Sequence, residues 1–214
     1  MKRSFPLVFL LAVGCGALGG TGSSTHLTPP QPDLDYPIGE FSLTERSGKT
    51  VTDKDLRGKV WIGSFIFTRC TGPCPAVTST MQRLQRELAT ELKSGQVNLV
   101  TFTVDPVRDD LKSLNAYADN RQADPNYWLF LTGEEKTIHK LMQEQFKQAV
   151  ERKVGEEAKP GDEFGHSTRL ILVDKNGVIR GMYDGLANQE VPGGKENFEE
   201  SLTRLKDRVR ELSK

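Results

Sequence analysis

The sequence predicts an α/β fold, a three-layer sandwich with helices on both faces of one mixed sheet. Two observations carry that expectation. Apolar or alternating segments and segments of helical period follow one another as strand, helix, strand, helix, strand, helix, and then strand, strand, helix. Residues 60–67, VWIGSFIF, also form a nearly unbroken apolar run, as expected of a central strand buried on both faces.

Taken in order, residues 41–44 and 50–52 flank Arg46-Ser47-Gly48-Lys49 and predict a small N-terminal β-hairpin. After the strand at 60–67, Val77, Met81, Leu84, Leu88 and Leu92 recur at helical spacing and predict one long helix with a single buried stripe. Residues 97–104 read as a second strand, followed by a helix from about Pro106 with Leu111, Leu114 and Tyr117 on one side. Residues 127–131 make a third strand, and the helix from about Glu134 turns Ile138, Leu141, Met142 and Phe146 inward. Two strands at 168–173 and 178–183 turn at Asp174-Lys175-Asn176-Gly177, and Phe198, Leu202, Leu205, Val209 and Leu212 mark a closing amphipathic helix. Trp61 and Trp128 belong to the expected core, and His139 is expected to face solvent. Thioredoxin-like folds fit this order, with the N-terminal hairpin as an addition.

The chain has 214 residues, 29 basic and 29 acidic, so its formal charge is zero and nothing draws it to polyanions. Nucleic acid is therefore not an expected partner. Residues 1–15 read as an export signal: Lys2 and Arg3, an apolar run at 5–13 too short to span a bilayer, then Gly14 and Cys15. Ala12-Val13-Gly14-Cys15 resembles a bacterial lipobox, which implies lipidation of Cys15, although Ala12 stands where Leu is usual. An uncleaved anchor, or a plain secretory peptide with Cys15 as a small hydrophobe, are the other readings, and all three export the chain. Residues 16–36 have the Gly, Ser, Thr and Pro content of a flexible linker, with His26 solvated in it. Residues 37–214 are the folded domain. The expected location is extracytoplasmic, on the outer face of a bacterial membrane.

Cys70 and Cys74 then lie in a compartment that does not keep thiols reduced. A disulfide closing so short a loop removes little unfolded-state entropy, so the pair asks for a chemical explanation. Cys70-Thr71-Gly72-Pro73-Cys74-Pro75 falls between the first buried strand and the first helix, where open α/β sheets place ligands. Pro75 suits the first helical position and makes Cys74 the expected N-cap, where helix amides favour its thiolate. Cysteines four apart can bridge or share a metal. Familiar thiol-disulfide reductases carry two residues between their cysteines and this chain carries three, which favours a metal over a redox or merely structural pair. His166 follows residues 151–165, a charged, glycine-bearing stretch with little sign of regular structure. It precedes a strand where thioredoxins place a cis-proline against their cysteines. Asp105-Pro106 reads as a helix cap with a first-turn proline. Asp105 and Asp109 also lie near the end of the second strand, beside the cysteine loop, where they could orient a ligand or dock a partner.

Three ordered motifs over roughly residues 37–210 carry a family resemblance. Phe67-Thr68-Arg69-Cys70-Thr71-Gly72-Pro73-Cys74-Pro75, Thr103-Val104-Asp105-Pro106-Val107-Arg108-Asp109, and Gly165-His166-Ser167 with the strand after it resemble the Sco/SenC family. That resemblance implies a thioredoxin-like domain binding one copper ion, Cu(I) or Cu(II), through Cys70, Cys74 and His166. It also implies a metallochaperone that delivers copper to, or maintains the thiols of, the CuA domain of cytochrome c oxidase subunit II. Soft thiolates suit Cu(I), and the imidazole lets the same site hold Cu(II). The stiff Gly72-Pro73 loop and a lipobox in place of a membrane helix depart from the family pattern. The alternative is an enzyme, a periplasmic thiol-disulfide reductase acting through redox-active Cys70 and Cys74 without metal. A peroxidase reading is weaker, because Phe67 stands where that pattern requires proline.

Overall fold

The apolar run becomes β4 (Val60–Ile66), seven residues all buried. The computed structural model describes residues 34–190 and 192–214. The expected export signal, Cys15 and the linker up to residue 33 lie outside the described residues. β4 pairs in parallel with β5 (Val97–Thr103), which pairs in parallel with β6 (Trp128–Thr132). On the other side of β4, β9 (Arg169–Val173) runs antiparallel and is followed by β10 (Val178–Asp184) and the short β1 (Tyr36–Pro37). β2 (Ser42–Glu45) and β3 (Thr50–Thr52) extend the edge beyond β6, completing an eight-stranded mixed sheet.

Alternation along β4 sends Trp61 and Phe65 to one face and Val60 and Ile62 to the other, which yields two cores and three layers. The first core is covered by α1 (Asp53–Leu56), α5 (Glu135–Lys140) and the π-helical turn that continues α5, Leu141–Gln145. The second lies under α2 (Cys74–Glu87), α3 (Ala89–Lys93), α4 (Leu111–Asn120) and α6 (Gly194–Ser213). Trp61 and Trp128 are both core residues, as expected. No helix among the described residues is long and apolar enough to cross a membrane.

The N-terminal hairpin forms and joins the main sheet, with Thr44 opposite Thr132 and Glu45 opposite Leu131. Buried Arg46 fastens it: Nη2 donates to the Ala123 carbonyl at 3.2 Å, and the guanidinium lies 5.5 Å from the Phe130 ring centroid. All five residues of the expected long-helix stripe are buried, but the helix is two pieces. Leu88 leaves helical geometry, and α3 resumes with Leu92 N–H donating to the Leu88 carbonyl, so the stripe stays in register.

Four expectations are corrected. The helix expected from Pro106 starts at Leu111, because Asp110 is its cap and accepts from Ser113 N–H at 2.7 Å. Residues 105–109 instead form a turn in which the Arg108 and Asp109 amides donate to the Asp105 carbonyl, leaving both carboxylates turned inward. Leu111, expected on one side of that helix with Leu114 and Tyr117, is exposed while Leu114 is buried. The stretch 151–165 is ordered as an antiparallel hairpin of β7 (Val150–Arg152) and β8 (Phe164–His166), with a 3-10 turn at Gly155–Glu157. Its period-2 signal is too short to read, since each strand has three residues. His139 is half-buried rather than solvent-facing: its Nε2 donates to the Val104 carbonyl at 2.8 Å, and its ring packs edge-on against Phe164.

Candidate metal centre

β4 ends at Ile66, and the chain turns through Thr68-Arg69-Cys70 into the N-terminus of α2. Asp109 fixes the start of that turn. Its carboxylate accepts from Thr68 N–H at 3.0 Å, from Thr68 Oγ1 at 2.6 Å and from the Thr103 hydroxyl. Burial pushes the Asp109 carboxyl above its usual range against these three donors, and nearby Asp105 adds to the rise.

The helix cap is Pro73, one residue earlier than expected, so Cys74 is the first helical residue and Pro75 the second. Pro75 has no N–H to leave unpaired, and the Ala76 and Val77 amides both donate to the Pro73 carbonyl. The thiolate expected at Cys74 belongs to Cys70 instead. Cys70 is half-buried, and its thiol is drawn down to about 4, chiefly by the hydrogen bond it accepts from Cys74. Partial burial opposes this, while the His166 side chain and then the Cys74 and Gly72 amides add to it. Cys74 is fully buried and moves the opposite way, raised first by donating its proton to Cys70 and then by burial. The Cys74 amide favours the thiolate of both residues, and the opposite directions of the two come first from the hydrogen bond between their sulfurs.

His166, at the end of β8, places Nε2 at 3.2 Å from Cys74 Sγ. Its Nδ1 lies 2.9 Å from the Ser167 carbonyl. A carbonyl only accepts, so Nδ1 donates to it and Nε2 is the ring nitrogen that faces the sulfurs. Phe67 packs edge-on against the imidazole, with ring centroids 5.9 Å apart. The structure thus brings Cys70, Cys74 and His166 together, one ligand atom from each, all within 4.8 Å of one another. Two sulfurs and one imidazole nitrogen, partly screened from water, fit a soft three-coordinate cation. Among the described residues no carboxylate joins the group, which leaves it one ligand short of a structural zinc site.

Asp105 and Asp109 lie beside this group without entering it. Asp105 is buried and ion-paired to Arg108 Nε, with Arg152 Nη2 at 3.9 Å. Four residues around the site carry contacts that sequence reasoning did not assign: Thr71, Arg108, Gly161 and Glu163. Arg108 lies in one of the three motifs, and Pro160-Gly161 is a turn signal inside the stretch read as irregular. Their contacts cross between segments far apart in sequence, which no local pattern encodes.

The SCO1/SenC family model matches residues 30–193 of the chain. A SCO1 protein homolog of Bacillus subtilis is 32% identical over 183 residues, covering 85% of this chain and 86% of the relative. A protein of Stutzerimonas stutzeri named for copper binding is 30% identical over 148 residues, 67% of each chain. Among solved structures, a SCO1/SenC family lipoprotein from Bacillus anthracis superposes with a TM-score of 0.68 at 27% identity, covering 85% of this chain and 98% of that one. BsSco, described as a member of the Sco family of cytochrome c oxidase assembly proteins with a disulfide switch, gives 0.66 at 27% identity, covering 86% and 96%. These likenesses bear out the thioredoxin-like sandwich and the resemblance carried by the three motifs: the chain belongs to the SCO1/SenC family.

Proposed function

We propose that the protein binds one copper ion through Cys70 Sγ, Cys74 Sγ and His166 Nε2, as a metallochaperone in the assembly of cytochrome c oxidase. The observation that carries this reading is the convergence of two sulfurs and one imidazole nitrogen within 4.8 Å. Soft thiolates hold Cu(I), and the imidazole keeps the site competent for Cu(II). A relative named for copper binding and one described in cytochrome c oxidase assembly support the same reading. The client is the CuA domain of subunit II, which either receives the copper or has its thiols prepared by the Cys70–Cys74 pair. Asp109 holds the cysteine loop through Thr68, and Asp105 holds Arg108 beside it. Cys15 carries the lipid that keeps the domain on the outer face of a bacterial membrane, a reading supported by the lipobox-like run and by a structural relative described as a lipoprotein.

The test is a Cu(I) competition titration of the reduced protein. One equivalent bound well below micromolar dissociation is expected, and no binding tighter than micromolar would sink the proposal. A second reading, thiol-disulfide reduction without metal, is favoured by the lowered Cys70 thiol paired with a protonated Cys74. His166 separates the two, because a reductase does not need it as a ligand.

A further inference from the structure

His166 reaches the sulfurs on an element that the main sheet does not hold. β7 and β8 pair with each other in a separate two-stranded sheet, Val150 opposite His166 and Arg152 opposite Phe164. A lone two-stranded hairpin is marginal in water, so the placement of His166 depends on what clamps this one down. At its base, Val150 and Phe164 are buried, and Gln143 Nε2 donates to the Val150 carbonyl at 2.9 Å. The clamp at the far end is polar. The Gly161 carbonyl accepts from Thr71 N–H at 2.8 Å and from Thr71 Oγ1 at 3.2 Å, one residue from Cys70.

Glu163 organises that contact with both carboxylate oxygens. Oε2 accepts from Gly161 N–H at 3.0 Å, and Oε1 accepts from Arg108 Nη1 at 2.7 Å. Arg108 is in turn held by its ion pair with buried Asp105. The segments approach too closely for a side chain at 161: Gly161 has φ +83°, and a Cβ there would stand 2.5 Å from Thr71 Cγ2 and 3.0 Å from the Arg69 carbonyl oxygen. Asp105, Arg108, Glu163, Gly161 and Thr71 thus form one continuous chain of contacts. It runs from the end of β5, across the tip of the hairpin, to the cysteine loop.

We propose that Arg108 and Glu163 are positioning residues for the copper site: they latch the hairpin of residues 150–166 onto the cysteine loop and so set how often His166 stands over the two sulfurs. The inference rests on the copper reading for its consequence, while the latch itself needs no metal. Arg108 touches neither copper nor a copper ligand and acts through the hairpin. Losing the Arg108–Glu163 bond leaves both thiols in place and loosens the tip of the hairpin, so that His166 departs from the sulfurs more often.

The test is hydrogen exchange on the full-length, reduced, copper-free protein, with Cu(I) affinity read in parallel. In Arg108→Gln and in Glu163→Gln, amides of 150–166 should exchange about tenfold faster, in line with loss of one partly exposed charged hydrogen bond. Amides of β4 and α2 should keep their rates, and the double variant should exceed neither single one. Cu(I) affinity should fall in Arg108→Gln, yet the same substitution should change nothing further in a His166→Ala background. A merely structural or electrostatic role would lower affinity in both backgrounds. Should Arg108→Gln unfold, Glu163→Gln, which keeps the Arg108–Asp105 pair, carries the same test. Unchanged exchange in 150–166, or an equal affinity loss with and without His166, would overturn the proposal. Failure of the unsubstituted protein to bind copper would contradict the copper reading instead, and the exchange rates would still decide the latch.

Discussion

Cys74 Sγ and His166 Nε2 stand 3.2 Å apart although 92 residues separate them in sequence. One enters from the start of α2 and the other from the end of β8, so neither element alone makes the site. His166→Ala removes a ligand without touching either sulfur. Copper affinity should fall by at least about 100-fold, the upper range for losing even an indirect partner of a metal ligand. Disulfide turnover by the Cys70–Cys74 pair should persist. The checks are a copper competition titration and a thiol-disulfide exchange assay on the same variant; unchanged copper affinity would remove His166 from the site.

The thiol pair has a pH signature. Cys70 is lowered to about 4, so at every pH above that it is already thiolate, and its reactivity falls only as the pH drops through that region. An unshifted cysteine loses on the order of 100-fold in thiolate between pH 8 and pH 6. Alkylation of the reduced, metal-free protein should therefore run at nearly the same rate at both values, with label on Cys70 and little on buried Cys74. A rate that tracks pH like a free thiol would contradict the arrangement.

Asp109 supports the cysteine loop from outside the ligand group. Asp109→Ala strips the acceptor from Thr68 N–H and from the Thr68 and Thr103 hydroxyls, and should cost about 2–4 kcal/mol of folding stability. Asp109→Asn keeps one acceptor oxygen and should recover part of that loss. Urea midpoints of the two variants measure the difference.

Oxidation and copper should exclude one another at this site, because a Cys70–Cys74 disulfide consumes both thiolates and leaves one imidazole. Cu(I)-loaded protein should resist mild oxidant. Preoxidised protein should take up copper only after a reductant is added, and equal uptake by the oxidised and reduced forms would mean that the cysteines are not ligands.

Much of the fold is legible because its signals are local and repeated. The seven-residue apolar strand β4 and the stripe from Val77 to Leu92 each state their own burial pattern. The cysteine spacing and the histidine before a strand likewise mark the three residues that converge. What escaped is decided by contacts from elsewhere in the chain. Asp105-Pro106 has the chemistry of a helix cap, yet Asp105 turns inward to Arg108, and Asp110 takes the cap. The hairpin at 150–166 draws its order from Thr71, Arg108 and Gln143, which lie outside it. His139 has a helical surface pattern on one side but finds the Val104 carbonyl at the end of β5. The lowered thiol is Cys70 rather than Cys74 because half-buried Cys70 accepts the hydrogen bond that fully buried Cys74 donates.

The most direct measurement is copper stoichiometry together with the Cu(II) absorption spectrum of the purified protein and its Cys70→Ser, Cys74→Ser and His166→Ala variants. One copper per chain with a sulfur-to-copper charge-transfer band is expected, with the band lost in either cysteine variant and shifted in the histidine variant. Retention of both copper and the band in Cys70→Ser and Cys74→Ser would contradict a site built from these two sulfurs.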